Sequence, residues 1–99
     1  MITAENTNGT LILTIEARTL EAANAVAIKQ AMQEAIGTPG GAVVVDLRQV
    51  ELIDSAGVGV LLGINKYNQE KVALRNAGRE VMSVLKLLRL QRLLLIEGA

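Results

Sequence analysis

The chain has no histidine, cysteine, tryptophan or phenylalanine, and among its 99 residues it has one proline (Pro39) and one aromatic side chain (Tyr67). Each absence removes a class of chemistry. Without His or Cys, zinc, haem, iron–sulfur and copper centres lose their usual ligands, and neither a Ser-His nor a Cys-His nucleophile can be assembled within the chain. No catalytic residue, metal site or cofactor is expected, and the chain reads as a non-enzyme. Disulfides are excluded, which fits a reducing compartment. An excess of one charge is missing too. Ten basic and ten acidic residues give a formal net charge of zero, which argues against direct binding of nucleic acid or of an anionic membrane surface. The longest candidate membrane run, Val58 to Ile64, is seven residues with two glycines inside it, whereas a spanning helix needs about 20. Met1 to Glu5 shows neither the basic nor the apolar region of a secretory leader. The expectation is a cytoplasmic protein with no membrane association.

What is present is enough apolar residue, 51% of the chain, to bury a modest core in one domain spanning residues 1–99. Short β-prone runs at Ile2–Glu5 and Thr10–Glu16 flank Asn8-Gly9, a hairpin signal. In the second run Leu11, Leu13 and Ile15 alternate onto one face, and Ile12 is the exception. Ala25, Ile28, Met32, Ala35 and Ile36 recur at helical spacing and predict a helix from about Glu21 to Ile36, stopped by Gly37-Thr38-Pro39-Gly40-Gly41. Ala42–Leu47 (AVVVDL) suits a central parallel strand buried on both faces. A second helix is predicted over Ser55–Tyr67, a strand over Val72–Leu74, a third helix over Glu80–Leu90 and a last strand within Leu93–Ile96. The order β-β-α-β-α-β-α-β predicts an α/β domain, with a mainly parallel central sheet, an N-terminal antiparallel hairpin and helices packed on the sheet.

Charge is balanced overall but not along the chain. Residues 1–54 carry three basic and seven acidic residues, a net of −4, and residues 55–99 carry seven and three, a net of +4. Either solvated helix faces differ in sign, or the surface is bipolar and orients a partner.

Residues 46–63, DLRQVELIDSAGVGVLLG, stand apart. A buried strand ends at Asp46-Leu47, and seven residues later Asp54-Ser55-Ala56-Gly57 opens an apolar helix. Asp and Ser are preferred N-cap residues, so Asp54 or Ser55 begins that helix. Its free N–H groups and positive dipole end favour an anion there, in the crevice beyond the strand ends where α/β proteins tend to place function. Glycines at 57, 59 and 63 each cost a helix interior about 0.8–1 kcal/mol relative to alanine. They serve either to keep the first turns bare for a partner or to let helix and sheet pack closely, and both can hold. The glycine-rich dinucleotide fingerprint is a poor fit, because its glycines lie in a tight strand-to-helix turn and Gly57 is ten residues past Leu47.

Val43-Val44-Val45-Asp46-Leu47, Leu52-Ile53 and Asp54-Ser55-Ala56-Gly57-Val58-Gly59-Val60-Leu61 together resemble the STAS family, specifically the stand-alone anti-sigma factor antagonists of bacterial partner-switching systems. The stretch from Val72 through Leu90-Gln91-Arg92-Leu93 is similar to the family's closing strand-helix-strand. The resemblance implies a single STAS-like domain and a function. The unphosphorylated protein binds an anti-sigma factor that is also an ATP-dependent serine kinase, releasing its client sigma factor. Phosphorylation of the serine after the aspartate switches binding off, and a PP2C-type serine phosphatase resets it. On this chain the acceptor is Ser55, Asp54 is the neighbouring acid for kinase recognition or reaction, and the partner-binding segment is Asp54, Ser55, Ala56, Gly57, Val58 and Gly59. Two departures from the family pattern are Ala17-Arg18-Thr19-Leu20-Glu21 in place of Gly-x-Leu-Asp, and Ala56 in place of a second hydroxyl residue. The alternative in another class is a STAS scaffold subunit of a transport or signalling complex that is never phosphorylated.

The serine census agrees with Ser55 as acceptor. Only Ser55 and Ser83 are present, and Ser83 falls mid-helix, where a kinase is expected to need local unfolding. A phosphate at a helix start adds a charge of about −1.5 to −2 that repels acidic partner groups without melting the element.

Overall fold

The computed structural model describes residues 1–98. Asn8 and Gly9 both take positive φ, 51° and 83°, as the two central residues of a type I′ hairpin turn must. That turn fixes the pairing of strands β1 (Ile2–Thr7) and β2 (Thr10–Ile15) from Thr7 opposite Thr10 to Ile2 opposite Ile15. With this register Leu13 and Ile15 face inward and are fully buried.

β2 then pairs in parallel with β4 (Ala42–Asp46), which pairs with β6 (Val72–Arg75), which pairs with β7 (Leu95–Ile96), giving the order β1-β2-β4-β6-β7. The connecting helices are α1 (Ala25–Ile36), α2 (Ser55–Tyr67) and α3 (Arg79–Leu87). Every crossover steps in the same direction along the sheet, and right-handed crossovers of that kind lie on one face. The core therefore sits between the helices and the inward rows of the sheet. Leu13, Val45, Leu74 and Ile96, matched in register across four strands, meet Ile28, Met32, Leu61, Ile64 and Leu85 from the helices. Burying each such side chain is worth about 1.5–3 kcal/mol.

One-sided coverage corrects the expectation for β4. Val43 and Val45 are buried, but Val44 is only half-buried on the face away from the helices. It stands in a row with Ile12, Ala73 and Leu95. Ile12, the odd residue in the alternation of β2, belongs to that outer row.

Other differences follow from contacts between distant segments. Helix α1 starts at Ala25 rather than Glu21 because Glu21–Asn24 forms a turn. There the Asn24 side chain accepts from the Glu21 N–H (2.9 Å) and donates to the Thr19 carbonyl (2.7 Å). Helix α3 ends at Leu87, and Arg89 in left-handed conformation (φ 56°) leads into a 3₁₀ turn, Leu90–Arg92. Two strands of two residues each, β3 (Thr19–Leu20) and β5 (Leu52–Ile53), pair in parallel as a separate small sheet that the pattern of the sequence did not announce.

Buried amides fix the end of α2 remote from Ser55. Asn68 accepts from the Gly40 N–H (2.9 Å) and donates to the carbonyls of Gly41 (2.8 Å) and Lys71 (3.0 Å). Asn65 accepts from the Val72 N–H (3.3 Å) and donates to the Leu93 carbonyl (3.2 Å).

Candidate functional site

The start of α2 is held from two directions. Asp54, in extended conformation, is the N-cap, and one carboxylate oxygen accepts from the Gly57 N–H at 2.9 Å. The other accepts from the Ala22 N–H in the β3–α1 connection at 3.2 Å. Of the two candidate caps, Asp54 therefore does the capping and Ser55 is the first helical residue. The Gly57 N–H bond is the largest influence on the Asp54 carboxyl and lowers its pKa. Desolvation opposes it, and further backbone N–H groups add to the lowering.

The small sheet fixes the height of this helix start. The Leu20 carbonyl accepts the Asp54 N–H (3.2 Å), and the same carbonyl lies against Gly57. A Cβ at Gly57 would collide with that oxygen and stand 2.7 Å from the Ile53 side chain. Close approach thus explains Gly57. Gly59 differs: it is exposed, and a Cβ there would meet nothing within 4 Å. It borders a shallow depression between α1 and α2, lined by Ala25, Val26, Lys29, Ala56 and Val60. At Gly63 a Cβ would meet only the end of the Lys29 side chain, at 2.8 Å.

Of the six residues assigned to partner binding, Asp54, Ser55 and Gly59 are exposed, Ala56 is half-buried, and Gly57 and Val58 are buried. The last two shape the site from beneath. The structure adds surface that the six-residue segment omits. Val26 (69% exposed) and Leu52 (57%) are open to solvent, Ala22 touches Asp54, and Arg18 pairs with Glu51 at 2.6 Å. The segment Ala17–Glu21, which departs from the family pattern, borders this surface.

A buried carboxylate underlies the loop. Asp46, at the end of β4, has no exposed surface. One of its oxygens accepts from the Arg48 N–H (2.9 Å). The other takes the Arg48 guanidinium (2.6 and 3.1 Å), Arg75 Nε (3.3 Å) and the Asn76 amide (3.1 Å). Burial pushes its pKa up, but these bonds, led by Arg48, outweigh it and hold the carboxyl at about 2. Asp46 thereby pins the exit of β4, from which residues 47–54 run to Ser55.

Ser83 is exposed on α3, its hydroxyl donating to the Arg79 carbonyl at 3.0 Å. Position along the helix, not exposure, separates the two serines.

A family model described as "Mlab, STAS domain" matches residues 5–97. The chain belongs to the STAS domain family. Solved STAS structures share its fold. TM1081 of Thermotoga maritima, proposed to be an anti-sigma factor antagonist, is 25% identical, with 96% of this chain and 84% of that one covered and a TM-score of 0.79. An anti-sigma factor antagonist from Mycobacterium paratuberculosis is 19% identical over 100% of this chain and 86% of that one, with a TM-score of 0.86. The anti-sigma factor antagonist SpoIIAA of Bacillus, unphosphorylated, is 19% identical over 99% and 89%, with a TM-score of 0.74. A search of curated proteins returns no match. Among the described residues of this STAS domain, no helix is long and apolar enough to cross a membrane.

Proposed function

We propose that this STAS domain is an anti-sigma factor antagonist of the partner-switching kind. Its unphosphorylated form binds an anti-sigma factor that is also an ATP-dependent serine kinase, and so frees the client sigma factor. Phosphorylation of Ser55 ends that binding, and a PP2C-type phosphatase restores it. The protein is regulatory and non-enzymatic on this reading, and it works in the cytoplasm.

The observation that carries the proposal is the placement of Ser55. It is exposed at the first position of α2, immediately after a cap whose carboxylate is already committed to Gly57 and Ala22. With its pKa lowered, Asp54 is a poor base for activating the neighbouring hydroxyl. The γ-phosphoryl chemistry falls to the kinase, and Asp54 fixes how the acceptor is presented. A phosphate at a helix start is favoured by the dipole, so the modification acts at the docked surface through repulsion and desolvation. A loss of about 3 kcal/mol there weakens a complex more than a hundredfold.

The test is intact-mass spectrometry after incubation with ATP and the cognate kinase. One phosphate is expected on the wild type and none on Ser55→Ala. A phosphate retained by Ser55→Ala, for instance on the exposed Ser83, overturns the assignment. Equal kinase binding by wild type and Ser55→Asp favours the scaffold role instead.

A further inference from the structure

Four of the most exposed large apolar side chains among the described residues lie within a single stretch: Leu87 (82%), Leu88 (51%), Leu93 (62%) and Leu95 (68%). Single exposed leucines are ordinary, but a group of this density marks an interaction surface. The stretch also carries Lys86, Arg89 and Arg92, all exposed. Among the described residues the ion-paired cations are Arg18, Arg48 and Arg75, so these three are unpaired.

The backbone brings Leu87, Leu88 and Leu93 to one pole, and Leu95 projects from the outer face of the sheet at its adjoining edge. After α3, the left-handed Arg89 turns the chain into Leu90–Arg92, which packs against both α3 and β7 while Leu90 and Leu94 point into the core. Asn65 ties this turn to α2 through the Leu93 carbonyl. Asn65 lies ten residues beyond Ser55 on that helix, so the pole is about 15 Å along α2 from the acceptor. β7 is also an edge strand, with no neighbour on its outer side among the described residues. Its outward peptide groups are available for hydrogen bonds.

We propose that this pole is a second docking surface, fitted to an acidic amphipathic segment of a partner protein that carries leucine-like side chains. The charge pattern chooses the occupant. A second copy related by a two-fold axis would set Lys86, Arg89 and Arg92 against the same cations. A lipid surface could supply anionic headgroups, but its apolar layer offers no hydrogen bonds to the open edge of β7. An acidic protein segment supplies apolar contact, opposite charge and peptide groups together. The surface is separate from the one around Ser55 and does not depend on its phosphorylation.

The probe is a synthetic extended peptide of about eight residues, leucine alternating with glutamate so that one face is apolar and the other acidic. It is titrated into the isotope-labelled full chain and followed by amide chemical shifts. Shifts confined to the segment from Lys86 to Ile96 are expected, with affinity falling at least about tenfold in Leu87→Ser/Leu93→Ser. Both sites are exposed, and the charge variant Lys86→Glu/Arg92→Glu provides a second test that leaves all leucines in place. Ser55→Asp is expected to bind the peptide as wild type does. Absence of binding, shifts centred on α1 and Ser55, or equal binding of a lysine-bearing version overturns the proposal. So does tighter binding to phosphatidylglycerol vesicles than to the peptide, or self-association that Leu87→Ser/Leu93→Ser abolishes.

Discussion

Gly57, Gly59 and Gly63 look alike in sequence and differ in what surrounds them. A methyl group at Gly57 has to displace both the Leu20 carbonyl and the Ile53 side chain, and overpacking of this kind costs about 1–3 kcal/mol. At Gly59 the added methyl enters open space on an exposed helix face, where alanine is favoured over glycine by roughly 0.8–1 kcal/mol. Urea denaturation is expected to show Gly57→Ala destabilised and Gly59→Ala stabilised. A common sign for both would remove the structural distinction between them. Asp54→Ala, which deletes the cap, is expected to cost about 1 kcal/mol and to loosen the Ala22 connection as well, visible as faster hydrogen exchange at Ala22 and Gly57.

Elements legible in the sequence were those whose signals are local. The hairpin follows from Asn8-Gly9, and α2 was placed with its observed bounds because Asp54 marks its start. The short strands β3 and β5 exist only because residues 19–20 and 52–53 meet across the fold, and no pattern of two residues can announce that. The beginning of α1 is set by Asn24 reaching back to Thr19, and the end of α3 by a left-handed Arg89, which its residue type does not predict. At the candidate site, the capping signal put Asp54 and Ser55 at the start of α2, where the structure has them. Ala22 and Val26 become its neighbours only through the tertiary fold. The buried Asn68 is another such case. Removing its side chain leaves the Gly40 N–H and two carbonyls without their partner, so Asn68→Ala is expected to lower the urea midpoint by the equivalent of about 1–3 kcal/mol. A neutral result would mean that solvent replaces all three bonds.

For the whole molecule, acid is the informative perturbation. The chain has no histidine, so the side chain that ordinarily titrates near neutrality is missing. The Asp46 carboxyl is held at about 2 in the folded state, below an unfolded value of about 3.9. A depressed folded pKa contributes stability that is complete above the unfolded value and lost as pH falls through the folded one, here between about pH 4 and 2. The contribution is on the order of 2 kcal/mol, and Asp54 shifts in the same direction. Stability is expected to be flat between about pH 6 and 8 and to fall on the acid side, with Asp46→Asn less stable at neutral pH but shallower in its acid decline. An unchanged acid slope in that variant would dissociate Asp46 from the effect.

The Leu20 carbonyl, which receives the Asp54 N–H and abuts Gly57, has a consequence for timing. One peptide group fixes the chain on both flanks of Ser55, so the start of α2 is ordered during folding and not at encounter. A partner arriving at this surface does not have to organise it, and the entropic cost of association is correspondingly small. Docking is then governed by diffusion and orientation, at rates of about 10⁵–10⁷ M⁻¹s⁻¹. Under the proposed function, how long the complex lasts becomes the quantity that a phosphate on Ser55 would change.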